Sequence, residues 1–392
     1  MKPKKIIENV YWVGAIDWDR RLFDQLIPLP QGTSYNSYLI QGSERTVLID
    51  TVDPTMTDLL LSYLKQLNVT SIDYVVTNHA EQDHSGSLPN VLAMYPNARV
   101  ICTTKCKPML TDLLLIPEER IRAVEDGETL SLGNKTLQFI YTPWVHWPET
   151  MVTYLKEDGI LFSCDFFGSH IASSELFVGD KGEVYPAAKC YFAEIMMPFR
   201  APIQKNLSKI KDLGIAMIAP SHGQVYGEPD FILEAYRDWV YGEPKNLVVL
   251  PYVSMHGSTK RMVEHFVGAL MDRDVRVQQF DLVGADIGEL GSALVDASTV
   301  VLGTPTVLVG AHPLALYAAH LVNALRPKAK YVSVIGSHGW ASKATEQVSG
   351  ILSNLNAEML DPVVIKGLPK ESDFAALDHL ADQIADKHRE LK

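Results

Sequence analysis

Four side chains with metal-ligating atoms fall within six residues of one another: His79, Glu81, Asp83 and His84, in Thr77-Asn78-His79-Ala80-Glu81-Gln82-Asp83-His84-Ser85-Gly86. Neutral imidazole offers nitrogen; the carboxylates offer oxygen. A regular helix or strand could not turn all four toward one point at this spacing, whereas a loop at a strand end can. The competing reading is a polar loop whose Asp83 or Ser85 caps the next helix. Three more candidates each follow an apolar run and precede a turn: His146 in Pro143-Trp-Val-His-Trp-Pro148, Asp165 in Ser163-Cys-Asp-Phe-Phe-Gly168, and His222 in Ala219-Pro-Ser-His-Gly223. Taken singly, each reads as a structural residue. Taken together, seven ligands make three for each of two sides and one shared carboxylate. Such a set suits two metal ions about 3.5–4 Å apart.

A second chemistry lies further along. The apolar run 247–252 passes into Val253-Ser-Met-His-Gly-Ser-Thr-Lys260 and then a helical pattern. Small and hydroxyl residues at a strand-to-helix turn collect backbone N–H groups and hydroxyls around a phosphate. Ser254, Gly257, Ser258 and Thr259 are the residues of that kind, although a serine-rich helix cap has the same appearance. Two further loops, Gly303-Thr-Pro-Thr-Val-Leu-Val-Gly310 and Gly336-Ser-His-Gly-Trp340, follow strand-like runs. The carboxyl ends of strands are where open α/β sheets bind ligands.

The elements that must hold these loops follow from periodicity. Before residue 241, short strands are expected at 38–40, 46–49, 74–77 and 99–102, with helices at 56–66 and 108–115. A second strand group is expected at 137–141, 151–154 and 160–163, the last two joined by the Glu157-Asp158-Gly159 turn. After Tyr241-Gly-Glu-Pro-Lys-Asn246, strands at 247–252, 275–281, 299–303, 331–336 and 359–365 alternate with helices at 259–271 and 373–391. This alternation predicts a doubly wound parallel sheet. The helix at 259–271 carries a core stripe of Met262, Val263, Phe266 and Leu270. His265, His320, His379 and His388 lie on predicted helices and read as packed or solvated. The division expected is 1–245 and 246–392, the length prior of roughly 150 residues per domain allowing two or three.

Composition narrows the rest. The 392 residues are 47 % hydrophobic and 21 % charged, which are ordinary globular values. The formal charge of −12, from 35 Lys and Arg against 47 Asp and Glu, argues against nucleic acid and against anionic membranes. It fits an ordinary solubility surface. Four cysteines, Cys102, Cys106, Cys164 and Cys190, make neither a disulfide scaffold nor a Cys-x-x-Cys knuckle. They point to a reduced, cytoplasmic protein. The N-terminus has no apolar signal region, and no apolar stretch is long enough to span a membrane.

The series His-x-Glu-x-Asp-His, then His146, Asp165 and His222, resembles the metallo-β-lactamase fold, and within it the flavodiiron proteins. Glu81 is the mark, since ordinary zinc hydrolases of the fold carry His there. A carboxylate makes a harder, more anionic site that favours iron. Val13-Gly-Ala-Ile-Asp-Trp18, Gly32-Thr-Ser-Tyr-Asn-Ser-Tyr-Leu39 and His146-Trp147-Pro148 match as well. The resemblance implies an N-terminal αββα sandwich followed by a flavodoxin-like domain. It implies that His79, Glu81 and His146 hold one iron, that Asp83, His84 and His222 hold the other, and that Asp165 bridges them. Members of the family differ on whether His84 coordinates.

By the same resemblance His170, in Gly168-Ser-His-Ile171, lies near the diiron pocket, where it either donates to a bound ligand or packs. Trp147 and Tyr35 form pocket wall. An FMN is implied between the phosphate loop, Ser254, Met255, His256, Gly257, Ser258 and Thr259, and two ring loops. The first comprises Thr304, Pro305, Thr306, Val307, Leu308, Val309 and Gly310; the second, Ser337, His338, Gly339 and Trp340. The chain departs from the family pattern at Val307-Leu308-Val309, where polar residues are common, and at Met255-His256, where an aromatic is usual.

The expected activity is reduction of dioxygen to water, of nitric oxide to nitrous oxide, or both, in a head-to-tail homodimer or dimer of dimers. Without a built-in rubredoxin or flavin reductase, a separate donor is expected: a rubredoxin-like protein, a flavin reductase or a reduced deazaflavin. Two other readings stand beside this one. A binuclear zinc hydrolase with an appended flavodoxin-like domain is opposed by Glu81. A purely electron-transferring or binding protein with a degraded metal site is opposed by the complete ligand set.

Overall fold

A computed structural model describes residues 2–391. The chain forms two compact units, residues 1–192 with 199–240, and residues 193–198 with 241–392.

The first unit contains two mixed sheets. One runs in the order Lys4–Ile7, Val10–Trp12, Tyr38–Gln41, Thr46–Ile49, Tyr74–Val76, Arg99–Thr103, Ile121–Val124. The other runs Thr129–Ser131, Thr136–Tyr141, Met151–Leu155, Ile160–Cys164, Met217–Pro220. Their inner faces share one core, in which Leu39, Leu48, Val75 and Ile101 from the first sheet lie with Phe139, Met151 and Phe162 from the second. The central strands are short β-branched runs buried on both faces, as parallel strands under helices must be. Helices Thr57–Gln66 and Cys106–Leu114 contribute Leu60, Leu64 and Leu110 to that core. This is the expected αββα sandwich. In the second sheet, Ile160–Cys164 runs parallel to Met217–Pro220 and antiparallel to Met151–Leu155, which is antiparallel to Thr136–Tyr141. Three strands therefore release their following loops at one edge.

The second unit is a parallel sheet in the order Arg276–Asp281, Lys245–Tyr252, Ala297–Val307, Tyr331–His338, with Glu358–Met359 and Val363–Lys366 on the last edge. This is the flavodoxin-like order. Helices Ser258–Met271 and Glu371–Arg389 bury Met262, Val263, Phe266, Leu270, Leu377 and Ile384 in one core. The expected stripe of Ser258–Met271 is that buried face.

Two expected elements differ. The strand expected at 359–365 is broken at Leu360-Asp361-Pro362, where Pro362 cannot donate to the ladder. The loop expected at 303–310 is instead mostly strand. Ala297–Val307 runs on and folds back onto Gly310–Ala311 through a tight turn in which Leu308 and Val309 have φ of 49° and 73°. Among the described residues no helix is long and apolar enough to cross a membrane.

Candidate functional site

The first ligand cluster begins where strand Tyr74–Val76 ends. Asn78 is gripped by Asp50, whose carboxylate accepts from the Asn78 backbone N–H at 2.7 Å and from its side-chain amide at 2.8 Å. Thr153 donates to Asn78 Oδ1 at 2.8 Å. This fixes the exit direction of His79, which is fully buried. A single turn, Gln82–Ser85, then carries Asp83 and His84. The capping reading of this loop does not hold. Neither oxygen of Asp83 makes a hydrogen bond, and Ser85 donates back to the Ala80 and Glu81 carbonyls.

The other ligands arrive from the shared edge of the second sheet. Asp165 follows Ile160–Cys164, His222 follows Met217–Pro220, and His146 sits in the loop tied by Thr150 Oγ1 to the Thr142 and Trp147 carbonyls. Two of the imidazoles are oriented from behind. His222 Nδ1 is 2.7 Å from the Ser34 carbonyl, which can only accept. His79 Nδ1 is 2.6 Å from Glu149 Oε1. Each ring thus donates from Nδ1 and turns Nε2 into the cluster, the position from which it can ligate a cation.

The result is two groups joined by one carboxylate. Glu81 Oε2 lies 3.0 Å from His79 Nε2 and 3.1 Å from His146 Nε2. Asp83 Oδ2 lies 3.2 Å from His84 Nε2 and 3.1 Å from His222 Nε2. Asp165 turns Oδ2 to the first group, 3.4 Å from His79 and 3.6 Å from His146. It turns Oδ1 to the second, 2.9 Å from His84 and 3.5 Å from His222. Ligands bonded at roughly 2.1 Å to one ion stand about 3 Å apart, and the distances within each group match. Asp83 Oδ1 and Oδ2, Asp165 Oδ2 and both ring nitrogens of His84 are buried without a hydrogen bond. Such groups are costly unless something else satisfies them. The donor set fits a pair of hard, oxygen- and imidazole-preferring cations.

Electrostatics agree. Burial pushes the His84 imidazole down, but the Asp83 and Asp165 carboxylates outweigh it and push it up to about 9. Burial opposes the charge of Asp165, yet His84, His79 and His146 hold its carboxyl well below the usual range. Glu149 is likewise held low, against burial, by His79 and the Ala80 amide. The cage is anionic and asks for positive charge. Cys164 also reaches His84 and Asp165, but burial and the neighbouring Asp50 push its thiol well up, so it stays a protonated and poor ligand.

His170 lies outside both groups. Its ring is 4.8 Å from that of His222 and 4.9 Å from that of Tyr191, its Nδ1 is 2.9 Å from Thr33 Oγ1, and its buried Nε2 has no partner. Burial, then the His222 charge, push it well down, so it is neutral. Trp147 stands 5.0 Å from the His79 ring and Tyr35 5.9 Å from that of His222, both as wall. Residue spacing did not reveal Glu149, Asp50 or Tyr191. Tyr191 donates to Asp165 Oδ1 at 2.9 Å from helix Lys181–Tyr191. The acidic residue three positions after His146 was a usable signal; for Tyr191 there was none.

In the second unit, a cavity of about 170 Å³ is lined by Met255, His256, Ser258, Thr259, Pro305, Thr306, Ser337, His338, Gly339 and Gly367. All three expected loops meet there, together with the unforeseen Gly367. Gly257, at φ 87°, is the left-handed N-cap of helix Ser258–Met271, with open space where a Cβ would be. That leaves a helix N-terminus accessible to a phosphate. The remaining candidates do not line the cavity. Ser254 Oγ accepts from the Lys260 N–H, and Thr304 Oγ1 is spent on the Pro305 carbonyl and the His312 N–H. Val307 and Gly310 pair with each other, while Leu308 and Trp340 stand 88 % and 74 % exposed and Val309 completes the hairpin turn.

Comparison with known proteins agrees on both units. The family described as ODP family beta lactamase matches residues 33–223, and flavodoxin matches residues 250–377. The chain is 33 % identical over 393 aligned residues to a nitric oxide reductase of Moorella thermoacetica, spanning 98 % of each protein. Among solved structures, it is similar to the rubredoxin oxygen:oxidoreductase of Desulfovibrio gigas, with a TM-score of 0.95 and 29 % identity over 99 % of this chain and 98 % of that one. It is also similar to the flavodiiron protein of Giardia intestinalis, with a TM-score of 0.92 and 29 % identity at the same coverage. Relatives that match from end to end, and that join the same two folds in the same order, leave one conclusion: this chain belongs to the flavodiiron protein family.

Proposed function

We propose that the protein is an oxidoreductase that reduces dioxygen to water, nitric oxide to nitrous oxide, or both. The observation that carries this reading is Asp165, whose two oxygens face two separate ligand groups. We assign residues 1–245 to the diiron domain and 246–392 to the FMN domain. His79, Glu81 and His146 would hold one iron, Asp83, His84 and His222 the other, and Asp165 both. FMN would lie against Ser258, Thr259, Thr306, Ser337 and Gly339, its phosphate toward Gly257. When bound, the iron pair binds and reduces the diatomic substrate and the flavin resupplies its electrons.

The chain's own residues prepare that chemistry. Glu149 and Ser34 O hold two imidazoles in the ligating orientation. Tyr191 keeps its phenol proton, because burial and then the Asp165 charge push that group well up, and it donates to Asp165. Phe23, packed 4.9 Å from the His170 ring, and Trp147, 5.0 Å from the His79 ring, form apolar wall beside the ligands. His170, neutral and with a free Nε2, offers one further polar contact for a bound ligand.

A head-to-tail homodimer or dimer of dimers, a cytoplasmic location and a separate donor (rubredoxin-like protein, flavin reductase or reduced deazaflavin) complete the proposal. Anaerobic photoreduction of the purified protein, followed by mixing with each gas, tests it. Flavin reoxidation with stoichiometric loss of dioxygen or nitric oxide supports the reading; a flavin that neither gas reoxidises beyond its free rate overturns it.

A further inference from the structure

The two ligand groups are matched in their direct donors and unmatched behind them. Each group offers two imidazoles, one carboxylate of its own and one oxygen of Asp165. Behind the first stands Glu149, fully buried, whose Oε1 takes the His79 Nδ1 proton bond at 2.6 Å and the Ala80 N–H at 3.0 Å. Its other oxygen is buried without a hydrogen bond, so little dilutes the charge directed at His79. Behind the second group, His222 donates to a neutral carbonyl at 2.7 Å and His84 Nδ1 has no partner.

From this contrast we infer that Glu149 is a positioning residue that makes the two metal sites unequal, so that the ion held by His79, Glu81 and His146 keeps its ferric charge longer than its neighbour. A carboxylate bonded to the far nitrogen of a ligating imidazole increases its basicity, which favours the more highly charged ion. A carbonyl does this less, and an unpartnered nitrogen not at all. With iron bound, the site of Asp83, His84 and His222 would therefore have the higher ferric/ferrous potential and the site of His79, Glu81 and His146 the lower. The inference rests on the assignment of the iron pair above.

The test is an EPR-monitored redox titration of the iron-loaded wild type and of Glu149→Gln. The amide oxygen still accepts from His79 and Ala80, so only the charge is removed. The lower of the two midpoint potentials should rise, by about 59 mV for each tenfold loss of preference for ferric over ferrous ion, and the gap between the two steps should narrow. Unchanged potentials in a variant that retains its iron overturn the inference and leave the proposed activity standing. Wild type that binds no iron overturns both. Should Glu149→Gln fail to fold or to hold metal, proton NMR of zinc-loaded, ¹⁵N-histidine-labelled wild type decides. The His79 Nδ1 proton should resonate downfield of the His222 Nδ1 proton; the reverse order overturns the inference.

Discussion

Asp165 is a single side chain facing two groups of ligands, with an oxygen 3.4 Å from His79 on one side and another 2.9 Å from His84 on the other. It is the only one of the seven candidates with an oxygen turned to each group. Residues behind a ligand are already worth about 10- to 100-fold in metal affinity or activity, so removing a shared ligand should cost more. We expect Asp165→Ala to lose most of its iron and at least about 100-fold in turnover, while the flavin absorbance remains. Metal analysis and a visible spectrum of one preparation check this, and full turnover would refute the assigned bridge. The direct donors were legible because four of them crowd into six residues and the others each follow an apolar run. Glu149 was marked only by its place three positions after His146, and Tyr191 not at all, since a phenol gains meaning only from the atoms it touches.

At the scale of elements, strand order determines which loops meet. Parallel neighbours bring Asp165 and His222 out at one edge, and Ser258, Thr306 and Ser337 out at another. Periodicity anticipated most of these strands. It missed the run-on of Ala297–Val307, because Thr304-Pro305 reads as an end and Leu308-Val309 lacks the Asn and Gly that a tight turn usually demands. Left-handed backbone costs a non-glycine residue roughly 1–2 kcal/mol. Val309→Gly should therefore stabilise the second unit by about 1 kcal/mol, read as a higher unfolding midpoint in urea.

The C-terminal helix supplies a pH dependence. His388 fastens Glu371–Arg389 to two strands, through Thr299 Oγ1 at 2.7 Å and Asn246 Oδ1 at 2.8 Å. Burial pushes its imidazole down to about 4. The unfolded chain takes up that proton near pH 6.5 and the folded chain does not, so this contribution is intact above that pH and shrinks as pH falls toward 4. Urea midpoints followed between pH 7.5 and 4.5 should fall less steeply for His388→Gln than for wild type.

Across the whole molecule, each unit has a hydrophobic core of its own. Phe266 is fully buried in the second. Phe266→Ala should destabilise that unit by about 3–5 kcal/mol and weaken flavin retention, with iron content unchanged; calorimetry beside metal analysis checks it. The length was compatible with two or three domains, and the −12 charge argued against nucleic acid and anionic membranes without naming a partner. What singled out the activity was a carboxylate, Glu81, at one position in the ligand series. The most direct test of the central claim is therefore the metal and flavin content of the protein purified anaerobically. The account predicts about two irons and one FMN per chain. A colourless protein holding zinc and no flavin would contradict it.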